Sequence, residues 1–373
     1  MTRSAIIVGG GIAGLSATIA LRQAGYEITL FEQVPKLEPI GAALSIWGNA
    51  MAGLDWLGCG DALRARAHQV RRLRLTRAHD RVLWGPVDIS ASDSWLAMRS
   101  DLQAVLLAAL GQGCCRLGVH IDGVEELGGK VIARRRGETL AEADLAIVAD
   151  GVRSPLGTAL LGNPPSFRGY LGVLGVGQAA EDERVGMAEE IWGGRDRFGL
   201  FDAAGERRYW FYMAPAADLG GASAFDHDRV MRCAQGFPIR VARTVETTDA
   251  ASVIQICARS IPRRLGRGRV ICIGDAAYAM EPNQGQGGCQ GIEDAWALGV
   301  LAQRLPPETI LPELERLRLP RIRRAMVDSA LIGRAAHSSS ALTRVALRAL
   351  LRLPPPWVAR RQFLSRIAKP TYL

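Results

Sequence analysis

Two stretches near opposite ends of the chain carry residue types and spacings suited to holding a large polar ligand. The first is IIVGGGIAGLSA, in which Gly9, Gly11 and Gly14 stand in a G-x-G-x-x-G pattern. Glycines so spaced let the chain turn tightly and bring its N–H groups against a pyrophosphate at a helix N-terminus. Further on, Glu32 in EITLFEQ offers a carboxylate to the hydroxyls of an adenosine ribose. The second stretch is GDAAYAMEPNQGQGGCQGIEDA, residues 274–295. Gly274-Asp275 can present a carboxylate to a sugar-like polyol. Pro282-Asn283-Gln284-Gly285-Gln286-Gly287-Gly288 leads into a helix whose N–H groups and dipole stabilise negative charge developing on a ring. Between them, VADGVRS places Asp150 and Gly151 after an apolar run, with Arg153 just beyond; Asp150 either faces a ligand or caps the following turn. Arg99, in MRSDLQAVLLAAL, reaches from a helix start towards a phosphate or a ring. These signals predict two ends of one cofactor rather than two separate sites.

Those groups need elements to hold them. Residues 4–8 read as an apolar strand, and LSATIALRQAG carries apolar residues at helical spacing and stops at Gly25. With EITLFEQ as a second strand, strand, turn, helix, strand and acid follow in order as one βαβ unit. ADLAIVADGVRS and GRVICIGDAAYAM each read as a buried strand running into a turn. Residues 100–110 are helical, with Ser100 and Asp101 as caps. Over 71–89 and again over 170–256, alternating runs such as RLRLT and RRYWFYMAP predict half-buried strands of a largely antiparallel sheet. Residues 311–334 and 341–353 read as helices, the second carrying Arg344, Arg348 and Arg352 on one face and ending at Pro354-Pro355-Pro356. The expected fold class is α/β: a discontinuous Rossmann-like domain (1–70, 95–168 and 262–330), an inserted, largely antiparallel β-sheet domain (71–94 and 169–261) and a C-terminal helical segment (331–373).

Bulk composition narrows the function classes. A chain of 373 residues with 48% hydrophobic and 22% charged residues buries a sizeable core and is not disordered. No apolar run approaches the ~18 residues of a membrane span, and the apolar run before Gly9 is too short for a secretory signal. A cytoplasmic enzyme is therefore expected. The seven cysteines are scattered and form no C-x-x-C pair, which predicts reduced thiols and no metal site. The net charge of +9 sits almost wholly beyond residue 300, as arginine. No nucleic-acid motif accompanies it, so nucleic acid is not expected as a partner. The basic C-terminal helix is expected to pack over the sheet domain with its arginines in solvent; the less favoured alternative is contact with a membrane surface. A monomer or homodimer is expected.

At this point the sequence resembles a known family. GGGIAGLSA with Glu32, VADGVRS, and GDAAYAMEPNQGQGG look like the three signatures of the class A FAD-dependent monooxygenases, the para-hydroxybenzoate hydroxylase-like enzymes. IGAALSIWGNAMAGLDWLG is similar to the salicylate hydroxylase, zeaxanthin epoxidase and flavin-type urate hydroxylase branch. The resemblance implies FAD as cofactor, NADH or NADPH as transient electron donor, and O2. It implies hydroxylation of a small aromatic or heteroaromatic substrate through a flavin C4a-hydroperoxide. The implied cofactor contacts are Gly9, Gly11, Ile12, Ala13, Gly14, Glu32, Gln33, Ala43, Arg99, Ile121, Asp150, Gly151, Arg153, Gly274, Asp275, Pro282, Gly285, Gln286, Gly287 and Gly288. Arg197, Tyr209 and Pro282 are the implied substrate-side and catalytic residues. Where the urate enzymes carry a substrate-binding asparagine, residues 171–176 offer only glycine and apolar side chains, which predicts a less polar pocket.

Other readings stay open at this level. An epoxidase or oxidative tailoring enzyme on a larger apolar substrate fits the same signatures, as does a non-catalytic FAD-binding redox sensor. A dehydrogenase would use the first glycine motif but leave Gly274-Asp275 unexplained. A halogenase is not expected, because no W-x-W-x-I-P pattern occurs. None of His68, His79, His120, His227 and His337 falls in a signature, so no histidine base is expected.

Overall fold

The computed structural model describes residues 2–37, 43–111, 113–179, 186–221, 223–352, 356–370 and 372. Ile40, Gly41 and Ala42 of the branch-specific stretch, and Pro354 and Pro355 of the triple proline, lie outside them. The opening apolar run forms the strand Arg3–Val8, in which residues 5–8 are all buried. It sits inside a sheet ordered Gly266–Arg267, Val270–Cys272, Leu145–Val148, Arg3–Val8, Tyr26–Glu32, Cys115–Leu117. Every pairing is parallel except the one at the Gly266–Arg267 edge. Strands covered on both faces must be apolar throughout, which explains LAIV and VIC. Each fully buried Ile or Leu there contributes ~1.5–3 kcal/mol. The cover comes from the helices Ile12–Gln23, Arg99–Leu110 and Gly287–Arg304 and from the meander Gly123–Leu127, Lys130–Arg135, Glu138–Ala143.

The first helix ends at Gln23 and Gly25 follows at φ +81°, the left-handed position that suits glycine. The helix over 100–110 departs from expectation at its start. It begins at Arg99, so Ser100 and Asp101 lie inside the first turn and no side chain caps it. Asp101 there complements the positive end of the helix instead.

A second sheet runs Ala251–Ala258, Ser166–Gln178, Arg207–Pro215, Arg197–Asp202, Met187–Trp192, Arg72–Arg77, Val82–Asp88. Its strands are antiparallel except where Met187–Trp192 meets Arg72–Arg77. Period-two alternation splits its residues between faces. Trp210 and Tyr212 join Phe198, Leu200 and Val173 in a core closed by the helices His227–Ala234 and Ile239–Glu246. Tyr209, Phe211 and Met213 point the other way, each opposite Phe201, Gly199 or Arg197.

The helix Pro307–His337 crosses from the first sheet's helices to this second face, and Ala341–Arg352 packs on it. The C-terminal arginines differ from expectation. Arg344 donates to the carbonyls of Ser338 and Ser339, while Arg348 donates to those of Ala335 and Gly194 and lies 5.3 Å from the Trp192 ring centroid. Free helix-end carbonyls attract cations, so these side chains turn inward and leave Leu342 and Val345 exposed. A further helix, Pro356–Ile367, follows. Among the described residues no helix is long and apolar enough to cross a membrane.

Candidate cofactor and substrate cleft

The first glycine turn is shaped by close approaches. A Cβ on Gly14 would lie 1.9 Å from the Gly9 carbonyl oxygen, and one on Gly9 (φ +106°) 2.5 Å from that of Ala149. No atom lies within 4 Å of a Cβ on Gly11, so that backbone is bare towards the cleft at the helix N-terminus. Glu32 accepts from Gly10 N–H at 2.6 Å and from Val34 N–H at 3.0 Å, which fixes its carboxylate beside the turn. Ile12 and Ala13 are half-buried, Gln33 is exposed next to Glu32, and Ala43 is buried in a strand pairing with Met98.

The second and third signatures converge on the same turn. Gly274, at φ +57°, abuts Ala13: a Cβ on it would lie 3.0 Å from Ala13 Cβ. Asp275 opens into the cleft, yet the protein around it raises its pKa, with Arg99 and Arg259 opposing the rise. Arg99 is depressed in turn by burial, and Asp275 restrains that shift. A Cβ on Gly287 would sit 3.8 Å from Asp275 Oδ1, so the loop over 282–288 borders the same carboxylate. Asp150 does not cap the next helix, because Ser154 does, accepting from Gly157 N–H at 2.7 Å. Asp150 Oδ1 is buried without a partner, and burial raises its pKa against the pull of Ser154 and Arg259. Gly151 (φ +86°) has no atom within 4 Å of a Cβ, Arg153 is exposed, and Ile121 is buried in the core.

Arg259 was not singled out by the sequence, yet it joins two signatures. Its guanidinium donates to the carbonyls of Val152, Ser154, Asn163 and Asp275 and to Thr158 Oγ1. A lone arginine after a strand carries no motif that would reveal this. Behind the loop lies a second unforeseen cluster. Arg318, Glu293 and Asp294 are fully buried, with Arg318 paired to both acids and to Tyr372 Oη. Asp294 also accepts from Gly274 N–H at 3.0 Å, and Asn49 bridges Glu293 to Gln286. Burial alone would raise Glu293, but Arg318 and Arg321 hold it below the ordinary glutamate range. The available signal was the phase of Arg318, spaced i±4 between the buried Leu314 and Ile322.

The sheet face bearing Tyr209 meets the proline-glycine loop through Arg197. Its Nη1 donates to Glu190 at 2.5 Å, its Nη2 donates to Asn283 Oδ1, and its guanidinium lies 5.6 Å from the Phe211 ring centroid. Asn283 donates to the Ser329 carbonyl at 2.8 Å and to Glu281 at 3.0 Å. Tyr170 Oη donates to Glu281 at 2.9 Å, and His337 stacks on the Tyr170 ring. Tyr209 is buried against Phe201 and Phe211, and burial raises its phenol pKa. Phe201, Phe211, Leu174 and Val176 are half-buried, so this face keeps an accessible apolar lining. Pro282 is exposed, Gly285 turns at φ +63°, and Gln286 is buried with Nε2 unpartnered. Gly287 and Gly288 open the helix that follows.

These features suit one elongated anionic cofactor: a bare glycine turn at a helix start, an orphaned buried carboxylate oxygen, a cleft aspartate and a glycine loop. The family model described as "FAD binding domain" matches residues 2–328. The chain belongs to the FAD-binding-domain family. It is 32% identical over 329 residues to the aurachin C monooxygenase/isomerase of Stigmatella aurantiaca, covering 86% of this chain and 85% of that one. It is 31% identical over 336 residues to the FAD-dependent urate hydroxylase of Klebsiella pneumoniae subsp. pneumoniae, covering 86% of each. Its fold superposes with a TM-score of 0.87 on crystalline Klebsiella pneumoniae HpxO complexed with FAD and uric acid, at 26% identity and covering 98% and 96% of the two chains. Within the family this protein is a class A flavoprotein monooxygenase with a Rossmann-type FAD domain, using FAD.

Proposed function

We propose that this monooxygenase hydroxylates a small, largely apolar aromatic or heteroaromatic substrate held between the second sheet and the loop over 282–288. FAD, once bound and reduced by NADH or NADPH, supplies the activation of O2 needed for oxygen transfer. The observation that carries the reading is the half-buried lining of Phe201, Phe211, Leu174 and Val176, with the Arg197–Asn283 bridge at its loop edge. A planar ring covers such a surface, with Arg197 buried beneath it and bridged to the loop through Asn283. Residues 171–176 contribute no polar side chain to the lining, which favours a substrate less polar than urate. The division into an FAD-binding portion (1–70, 95–168, 262–330), a substrate portion (71–94, 169–261) and a helical segment (331–373) belongs to the same proposal.

In this reading Gly9, Gly11 and Gly14 with Ile12 and Ala13 receive the pyrophosphate, and Glu32 and Gln33 the adenosine ribose. Asp275 and Arg99 hold the polyol and phosphate, and Gly285, Gln286, Gly287 and Gly288 flank the ring. Asp150, Gly151 and Arg153 border the path of the electron donor. The protein's own work is to orient the substrate and exclude water. The test is NAD(P)H oxidation screened over aromatics, with hydrogen peroxide measured alongside. A substrate accelerates oxidation and yields hydroxylated product in place of peroxide. Unstimulated oxidation with every aromatic would leave an FAD-binding redox protein instead.

A further inference from the structure

Behind the loop over 282–288, and on the same sheet face as Leu174 and Val176, a cavity of about 350 Å3 opens between the second sheet and the end of the long helix. Its floor is the buried Tyr170–His337 stack with Gly333 and Glu281, and its walls carry Arg168, Arg195 and Arg334 with Ser338 and Ser339. Arg168 pairs with Glu281, the one acid lining the cavity among the described residues. Neither Arg195 nor Arg334 has an ion-pair partner among the described residues, and Arg195 Nε is buried without any hydrogen bond. The helix-end carbonyls that would attract these cations are already taken by Arg344 and Arg348. Three guanidiniums thus share one cleft with a single compensating carboxylate, a distribution that favours an anion.

His337 narrows the chemistry. Its Nδ1 lies 2.8 Å from the Arg195 carbonyl oxygen, so Nδ1 carries the proton and donates. Burial, with Arg197 nearby, holds the ring neutral down to about pH 3. Nε2 is then an acceptor, and it is buried without a partner. A phosphate group offers both charge for the arginines and a P–OH for that acceptor, whereas an ionised carboxylate has no proton to give.

We propose that this cavity is a phosphate-binding subsite, taking the phosphate group of a small anionic ligand on Arg195 and Arg334. Inorganic phosphate and the 2′-phosphate of a dinucleotide share that chemistry. The experiment is calorimetric titration of the FAD-loaded protein with inorganic phosphate, with 2′,5′-ADP and with benzoate. Phosphate is expected to bind saturably at millimolar concentration. Arg195→Ala and Arg334→Ala should each weaken it about tenfold, while Arg316→Ala, at an exposed arginine of the same helix paired with Glu313, should not. Tighter binding of 2′,5′-ADP that is lost in the same variants assigns the site to the electron donor; weaker binding assigns it to free phosphate. No saturable phosphate binding, binding indifferent to both substitutions, or benzoate binding as tightly as phosphate overturns the assignment. Flavin absorbance of the same samples reports FAD content separately, so a failure of the monooxygenase reading is not confused with a failure of this one.

Discussion

Ala13 and Gly274 touch, although 260 positions separate them: a Cβ on Gly274 would stand 3.0 Å from the Ala13 Cβ, and one on Gly291 would meet it at the same distance. The contact brings the glycine turn and the Gly274-Asp275 turn to one point. A side chain at Gly274 must push that contact apart and also accept φ +57°. Gly274→Val should therefore sharply lower flavin per protein after gel filtration. Gly128→Ala, also at positive φ but with open space around it, should keep its flavin. Equal flavin content in both variants would contradict the role of the contact.

Asp275 is the carboxylate shared by the converging signatures, facing Arg99 across the cleft. Asp275→Ala removes the acceptor and leaves Arg99 without its counter-charge. The expected result is FAD affinity weakened about tenfold or more, read by titrating apoprotein with FAD. Unchanged affinity would remove Asp275 from the site.

Arg197 ties Glu190, Asn283 and the Phe211 ring together. Arg197→Gln keeps a donor but loses the charge and the fork. FAD content should stay at wild-type level while kcat/KM for the accelerating aromatic falls at least about tenfold. If instead flavin is lost and the remaining holoenzyme turns over normally, the arginine braces the loop and does not serve the substrate.

Much of the candidate site was legible because its glycines and acids stand at fixed offsets within single turns. The βαβ unit, the left-handed Gly25 and the alternating sheet strands follow from local periodicity and turn chemistry. What escaped depends on contacts between distant segments. Arg259 joins turns through backbone carbonyls, which have no sequence signature. Arg344 and Arg348 read as solvent residues by charge, yet helix-end carbonyls draw them inward. Ser100 and Asp101 have the chemistry of caps, but the helix already begins at Arg99 and takes them into its first turn. Asp150 and Ser154 both have the chemistry of a cap, and only the fold shows that Ser154 takes that role.

Arg318 compensates two fully buried acids. Arg318→Met strips Asp294, whose pKa burial already raises, of its counter-charge and leaves Glu293 with Arg321 alone, a loss of about 3–5 kcal/mol to be read as a lowered denaturation midpoint. Tyr372→Phe removes one hydroxyl from the same cluster and should cost about 1 kcal/mol. A milder effect from Arg318→Met than from Tyr372→Phe would mean the acids are neutral in the fold.

His337 links stability to pH. Its folded pKa is pushed down to about 3 from an ordinary 6.5, first by burial and then by Arg197. Between those values the unfolded chain binds a proton that the native chain does not, so stability rises with pH across the window and is lost as pH falls from about 6.5 towards 3. The slope from this group is at most about 1.4 kcal/mol per pH unit. His337→Phe keeps a ring on Tyr170 and has nothing to protonate. Urea unfolding of the two proteins at a series of pH values should show the variant losing less stability on acidification. Parallel losses in both would place the acid sensitivity elsewhere, in carboxylates such as Glu293 that the fold holds ionised.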